Sequence, residues 1–331
     1  MNRKNLIIHV ILLLSACKAG NMQTIGTIEK TDKGLEAIIN ADARVEIIAD
    51  GFDWSEGPLW IPEQQMLLFS DIPQNKVYKW TPDNGLETYL TPSGYTGPTP
   101  RGGELGSNAL LLNREGKLVL CQHGDRRLAV MDTALEHPAP VFSAVADNYQ
   151  GKKFNSPNDV TMRSNGDYFF TDPPYGMEQR ENDPVRELPF HGVFKVSAGG
   201  AVTLLTDSIT RPNGIVFTPD EKTLIVANSD PGKAVWYMFD MGPGDVLTNP
   251  RILRDVTEEA KTQTGLPDGM KIDRQGNIFA TGPGGIWIFD KSGKLLGKIK
   301  GPVAMSNCAL AEDDTVLYIT ADRYVLRVKM R

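Results

Sequence analysis

From Val45 to the C-terminus the chain keeps returning to one pattern: a polar residue, a short apolar run, a turn rich in Asp, Asn, Gly or Glu, and a second apolar run. It occurs six times: EGPLWIPEQQMLLFSD from Glu56, NALLLNREGKLVLCQH from Asn108, NDVTMRSNGDYFFTD from Asn158, NGIVFTPDEKTLIVANS from Asn213, DGMKIDRQGNIFATG from Asp268 and NCALAEDDTVLYITA from Asn307. Short apolar runs bounded by turn residues are strand signals. Each unit continues with a third run (KVYKW, RLAVMD, GVFKVS, AVWYMFD, GIWIFD, YVLRVKM), and the first five offer a fourth, such as LETYL, AVTLL or LLGKIKG. Helical periodicity is nearly absent; the best candidate is DVTEEAKTQ, residues 255–263.

The units start about 40–55 residues apart, the spacing of propeller blades. The sixth lacks a fourth strand because the chain ends at Arg331, while RVEIIAD, residues 44–50, is a strand without a unit. Pairing the two closes the ring and removes an open edge. The pattern therefore predicts an all-β fold: a six-bladed β-propeller with four-stranded blades, one domain over residues 42–331, its last blade closed by an N-terminal strand. Barrels and sandwiches do not explain the period.

In a propeller the first strand of every blade lines the central channel. The residues that open the six units would then form a ring: Glu56, Asn108, Asn158, Asn213, Asp268 and Asn307, each with a side-chain oxygen. Asn and Asp also cap turns at strand starts, and that is the plainer reading for Asn108 and Asn307. Two acids converging on one axis need a compensating cation. Glu56, Asn158, Asn213 and Asp268 supply hard oxygens and a formal charge of −2. That set suits one divalent cation, with Ca²⁺ the first expectation and Mg²⁺ or Zn²⁺ the alternatives; zinc favours His and Cys. Glycines follow Glu56, Asn213 and Asp268 and allow close approach of backbone and ligand.

Composition adds bounds. The chain has 331 residues, a net charge of −6, 40% hydrophobic and 23% charged residues, an ordinary globular balance. No basic run suggests nucleic acid as a partner, and a monomer is expected. The N-terminus reads as a targeting segment: MNRKN carries two positive charges, LIIHVILLL is too short to span a membrane, and Leu14-Ser15-Ala16-Cys17 resembles a bacterial lipobox. Residues 1–16 are then a lipoprotein signal peptide, Cys17 the lipidated residue and 17–41 a tether. The expected location is the cell envelope, periplasm-facing, with the lipid as the sole membrane contact. Cys121 and Cys308 lie in apolar strands and are expected to be buried free thiols.

The stretches EGPLW, SPNDV, RPNGIVF and LPDGMKID resemble the metal-site segments of the SMP-30/gluconolactonase/LRE family, which includes regucalcin, bacterial gluconolactonases and diisopropyl fluorophosphatase. Four motifs in order, from about Val45 onward, carry the resemblance. CQHGDRRL, FFTDPPYG and LIVANSD are similar to the bacterial gluconolactonase branch. By motif match the resemblance implies that Glu56, Asn158, Asn213 and Asp268 hold the metal, that Asp268 is the acid/base, and that the reaction is hydrolysis of a sugar lactone. Asp268 would either abstract a proton from water or orient it, since a metal-bound carboxylate is a weak base. Regucalcin-like members carry an arginine where this chain has Ser156, so their sugar contacts are not carried over.

Weaker candidates for the pocket are Asn108, His123, Asp172, Tyr175 and Asn228, with Arg101, His191 and Asp230 behind them. Two Gly/Pro-bearing stretches, TPSGYTGPTPRGGELGS and YGMEQRENDPVRELPFHG, are candidate rims. Motifs of serine hydrolases, zinc proteases and dinucleotide enzymes are missing from the sequence. The competing readings are an ester or phosphotriester hydrolase with the same site, and a non-catalytic propeller with a structural Ca²⁺.

Overall fold

A computed structural model describes residues 23–331. The proposed signal peptide and Cys17 lie outside the described residues. The six units fold as six antiparallel sheets around one axis. Blade one is Ser55–Ile61, Met66–Asp71, Lys76–Thr81 and Gly85–Leu90 in that order. Blades two, three, four and five open on Ser107–Leu112, Val160–Met162, Pro212–Phe217 and Met270–Ile272. Blade six opens on Asn307–Ala311 and ends at Tyr324–Lys329, where Val45–Asp50 pairs with it, Val45 opposite Val328 and Asp50 opposite Tyr324. The N-terminal strand therefore closes the ring as the unpaired RVEIIAD required.

Each opening strand touches the opening strands of the blades before and after it, and blade six touches blade one in the same way. The six strand starts thus surround one axis in chain order. Apolar side chains fill the spaces between blades, in six clusters that match the six blade-to-blade contacts. Between blades two and three, Phe154, Phe170 and Phe194 pack within 5.1–5.4 Å, ring to ring. Between blades four and five, Trp236 meets Trp287 at 5.9 Å. Full burial of one such side chain contributes about 1.5–3 kcal/mol, so these layers dominate the stability of the ring. Sheets covered on both faces need no alternation, which is why Met66–Asp71 is buried at every position. Cys121 and Cys308 are buried and unpaired.

Within the stretch expected to be a tether (17–41), part of the chain is docked on the propeller. Thr27–Lys30 pairs antiparallel with Leu295–Lys300 and gives blade five a fifth strand. A short helical turn, Lys33–Ala37, follows, capped by Asp32, and Leu35, Ile38 and Ile39 enter the cluster between blades five and six. The expected helix at 255–263 shrinks to one turn, Thr257–Ala260, because the fourth strand of blade four continues to Asp255.

Candidate functional site

Local backbone irregularities aim the ring residues at the axis. Strand pairing shifts between Glu56 and Leu59, between Ser107 and Leu110, and between Pro212 and Ile215, the places where Glu56, Asn108 and Asn213 sit. Such bulges re-aim side chains. Asn158 and Asp268 stand just before their strands begin. The glycines after the acids and Asn213 make room for the neighbouring blade. A Cβ on Gly57 would come within 2.1 Å of the Asn108 carbonyl oxygen, and one on Gly269 within 1.9 Å of the Asn307 side chain.

A cavity of about 550 Å³ opens over this ring. Glu56, Asn108, Asn158, Asn213 and Asp268 all line it, and so does Tyr175. Its rim reaches solvent at the exposed Pro231. Asn307 closes the ring one layer off the cavity, where its Nδ2 donates to Glu56 Oε2 at 3.2 Å and its Oδ1 accepts from Lys271 Nζ at 3.3 Å. Glu56 Oε2 also accepts from the Gly57 N–H at 2.7 Å. Glu56 is only 2% exposed, and burial pushes its pKa up to about 8, with Asp159 adding to the rise and the two N–H donors and Lys271 opposing it. Burial likewise raises the Asp268 carboxyl well above the usual range, and the charges that press on it, Glu56, Asp159 and Glu104, are all acids.

The amides are held by their nitrogens. Asn213 Nδ2 donates to Ser229 Oγ at 2.9 Å, and that hydroxyl donates onward to the Pro267 carbonyl. Asn158 Nδ2 lies 3.5 Å from His123 Nε2, while Asn158 Oδ1 is buried without a hydrogen-bond partner. His123 does not line the cavity; it is fully buried behind Asn158. Its pKa falls to about 3, first from burial and then from Arg101 and Arg180, so the imidazole is neutral and acts as an acceptor toward the amide.

Asp172 and Asn228 serve the scaffold. Asp172 Oδ2 accepts from the Asn155 N–H at 2.8 Å and from Asn155 Nδ2 at 3.0 Å, and Oδ1 accepts from the Ser156 N–H at 2.8 Å. Asn228 Oδ1 accepts from the Arg211 N–H at 2.8 Å, and its Nδ2 donates to the Lys233 carbonyl. Asp230 holds Thr210, and the His191 ring nitrogen contacts the Thr210 carbonyl. Arg101 ties its rim segment to the other rim through the Gly176 carbonyl, and to the end of the second strand of blade two through the Gly124 carbonyl. Sequence reading missed Glu104, Arg180, Ser229 and Trp54, which also line the cavity. None of these four belongs to the run of residues that opens the six units.

Among the described residues no group of three or more His, Cys, Asp and Glu side chains is placed to hold a metal. The donor set here is instead two acids and two amides. Two buried acids without an opposing charge at Asp268, and a buried amide oxygen without a partner, fit a hard divalent cation.

Fold and site together describe a propeller with an oxygen-lined centre at the mouth of its axis. The chain belongs to the SMP-30/gluconolactonase/LRE-like family, whose sequence model matches residues 54–323. It is 40% identical over 317 residues to a gluconolactonase of Zymomonas mobilis, covering 94% of this chain and 88% of that protein. A solved gluconolactonase from Xanthomonas campestris superposes with a TM-score of 0.79 at 28% identity, covering 94% of this chain and 98% of the other. A calcium-binding regucalcin from Agrobacterium tumefaciens shares the fold, with a TM-score of 0.64 at 18% identity over 86% of this chain and 94% of that one.

Proposed function

We propose that the protein is a divalent-metal-dependent hydrolase that opens a sugar lactone, with Ca²⁺ held by Glu56, Asn158, Asn213 and Asp268. The observation that carries this reading is the convergence of those four side chains on one solvent-reached cavity, with the Asn158 oxygen unpartnered. The likeness to a gluconolactonase over nearly the whole chain supports the choice of substrate class. When bound, the ion supplies Lewis-acid polarisation of the lactone carbonyl.

The chain's own residues do the rest. Gly57 and Asn307 occupy one oxygen of Glu56 and leave the other directed to the cavity. Ser229 holds the amide nitrogen of Asn213, and the neutral His123 backs that of Asn158 at 3.5 Å, which leaves the amide oxygens for a ligand. Asp268 accepts the proton of the attacking water, or orients that water, as a carboxylate lining the same cavity. Water adds to the acyl carbon, the ring C–O bond breaks, and the ring oxygen leaves as a hydroxyl carrying a proton returned from Asp268. The product is the open hydroxy acid. Cys17 carries a lipid that fixes the enzyme at the periplasmic side of the envelope, where the domain works as a monomer.

The test is acid release from a panel of aldonolactones, plain esters and phosphotriesters, in chelator and after adding back Ca²⁺. The reading requires turnover of aldonolactones that is lost in chelator and returns with the ion. Faster turnover of phosphotriesters would move the activity to that class. Tight binding of one ion with no turnover of any substrate would make the protein a binding propeller.

A further inference from the structure

The cavity wall has two chemical sides. Over blades five, six and one it is built mainly by Leu266, Met305 and Trp54, with Gln263 the polar side chain beside Asp268; over blades two and three it is built by Glu104, Tyr175 and Arg180. Blades follow one another around the axis in chain order, so the second sector faces the first across the cavity. Asp268 belongs to the blade-five side and Glu104 to the opposite one.

Glu104 comes from the rim segment ahead of blade two, and Arg180 from the insertion inside blade three. Arg180 Nη2 stands 3.5 Å from Glu104 Oε1, and its guanidinium lies 5.3 Å from the Tyr175 ring centre. Glu104 Oε2 stands 3.9 Å from His123 Nδ1, a fully buried nitrogen without a hydrogen-bond partner. Both contacts are too long for good hydrogen bonds. Arg180 thus supplies the opposing charge, His123 being neutral, and the Glu104 lone pairs stay free of short hydrogen bonds; burial raises its pKa to about 7 against the pull of Arg180. A carboxylate accepts from two neighbouring hydroxyls, and a guanidinium donates to the same kind of group.

We propose that Glu104 and Arg180 are the specificity-determining pair of this site: they bind the hydroxylated edge of a polyhydroxy lactone and set its acyl carbon toward Asp268 across the axis. The proposal rests on the lactonase reading above. It explains the sidedness of the wall, since the sector at Leu266 and Met305 offers a row of hydroxyls a single neutral amide, Gln263, and no charged group besides the ring acids. A pocket that hydrogen-bonds substrate hydroxyls discriminates strongly against analogues without them.

The experiment compares E104Q and R180M with the parent protein, as full chains loaded with Ca²⁺, on glucono-δ-lactone and on δ-valerolactone, which has no hydroxyls. Rates are read by pH-stat with spontaneous hydrolysis subtracted, and folding is checked by thermal melting. The preference for gluconolactone over valerolactone, as a ratio of kcat/KM, should fall roughly 10–100-fold in each variant, the loss of one hydrogen bond to a charged group. An unchanged ratio overturns the proposal, whether both rates fall together, as for a structural latch between the rims, or neither falls. If the parent hydrolyses neither lactone, the lactonase reading fails by itself. The pair is then judged by calorimetry with gluconate: binding by the parent that weakens at least roughly 10-fold in E104Q sustains it, and equal or undetectable binding in both overturns it.

Discussion

Blades one, three and four each carry two polar positions near the top of the propeller, and they do opposite things. One opens the first strand: Glu56, Asn158, Asn213 and Asp268. The other ends the second strand: Asp71, Asp172 and Asn228. The second set is fully occupied by backbone. Asp71 accepts the N–H groups of Asp53 and Trp54, Asp172 those of Asn155 and Ser156, and Asn228 that of Arg211. These donors lie two and three residues before Glu56 and Asn158, and two before Asn213. The capping set thus fixes the approach to Glu56, Asn158 and Asn213, while the ring set is only partly satisfied: Glu56 accepts bonds at Oε2 and Asn158 Oδ1 has no partner. In these three blades the two positions are equally polar. Hydrogen-bond satisfaction separates scaffold from site, because a buried group left unsatisfied costs stability and persists only where something else compensates it.

The sharpest way to break this contrast is in the ring. Glu56→Gln keeps the shape and removes one of two buried acids. Lactone turnover at limiting Ca²⁺ should fall at least about 100-fold, beyond what an outer-shell partner of a metal ligand is worth. The melting temperature in chelator should hold or rise, because Asp159 presses on Glu56. A variant that melts earlier and keeps its turnover would place Glu56 in the scaffold.

Asp172→Ala is the converse. It strands the N–H groups of Asn155 and Ser156 in the interior, at about 2–4 kcal/mol together. Thermal melting should drop by about 5–10 °C, with turnover of the protein still folded falling far less than in the ring variant. Equal losses in both measurements would erase the distinction between the sets.

Ion binding gives a smaller effect of the same sign logic. A ligand at a hundredfold excess over its Kd stabilises the folded state by about 2.7 kcal/mol. Calorimetric melting of chelated protein should therefore shift upward by several degrees on adding Ca²⁺, and the shift should vanish in Glu56→Gln. A shift that survives there would put the ion elsewhere.

The smallest effect belongs to the thiols. Cys121→Ala and Cys308→Ala remove buried sulfur from inter-blade layers. Each should cost about 1 kcal/mol and leave lactone kinetics at parental values. A thiol variant without turnover would show that the site extends beyond the ring.

The fold was legible because the blades repeat. Six copies of one strand-turn-strand pattern constrain each other, and the strand at 44–50 had a single vacancy to fill. The docking of Thr27–Lys30 on blade five was not legible, since TIEK is a short polar edge strand that belongs to no repeat. The ring residues were found by position. Asp172 and Asn228 stand among the pocket candidates because they sit in FFTDPPYG and LIVANSD, stretches similar to the gluconolactonase branch; their capping bonds are invisible in sequence. Glu104 and Arg180 sit in insertions between repeats, where no copy elsewhere in the chain marks them. His123 stood out as a lone histidine after a strand; its burial behind Asn158 makes it a positioner of that amide.

The oxygen ring at the axis, with Asp268 in it, is the proposed catalytic centre. The most direct measurement is hydrolysis of glucono-δ-lactone by Asp268→Asn, run beside a Ca²⁺ titration and a melting curve of the same sample. Turnover should fall by about 10²–10⁴-fold, ion binding should weaken, and the melting temperature in chelator should be no lower than the parent's, because an acid pressed by Glu56, Asp159 and Glu104 has been removed. Parental turnover in the folded variant would contradict the assignment.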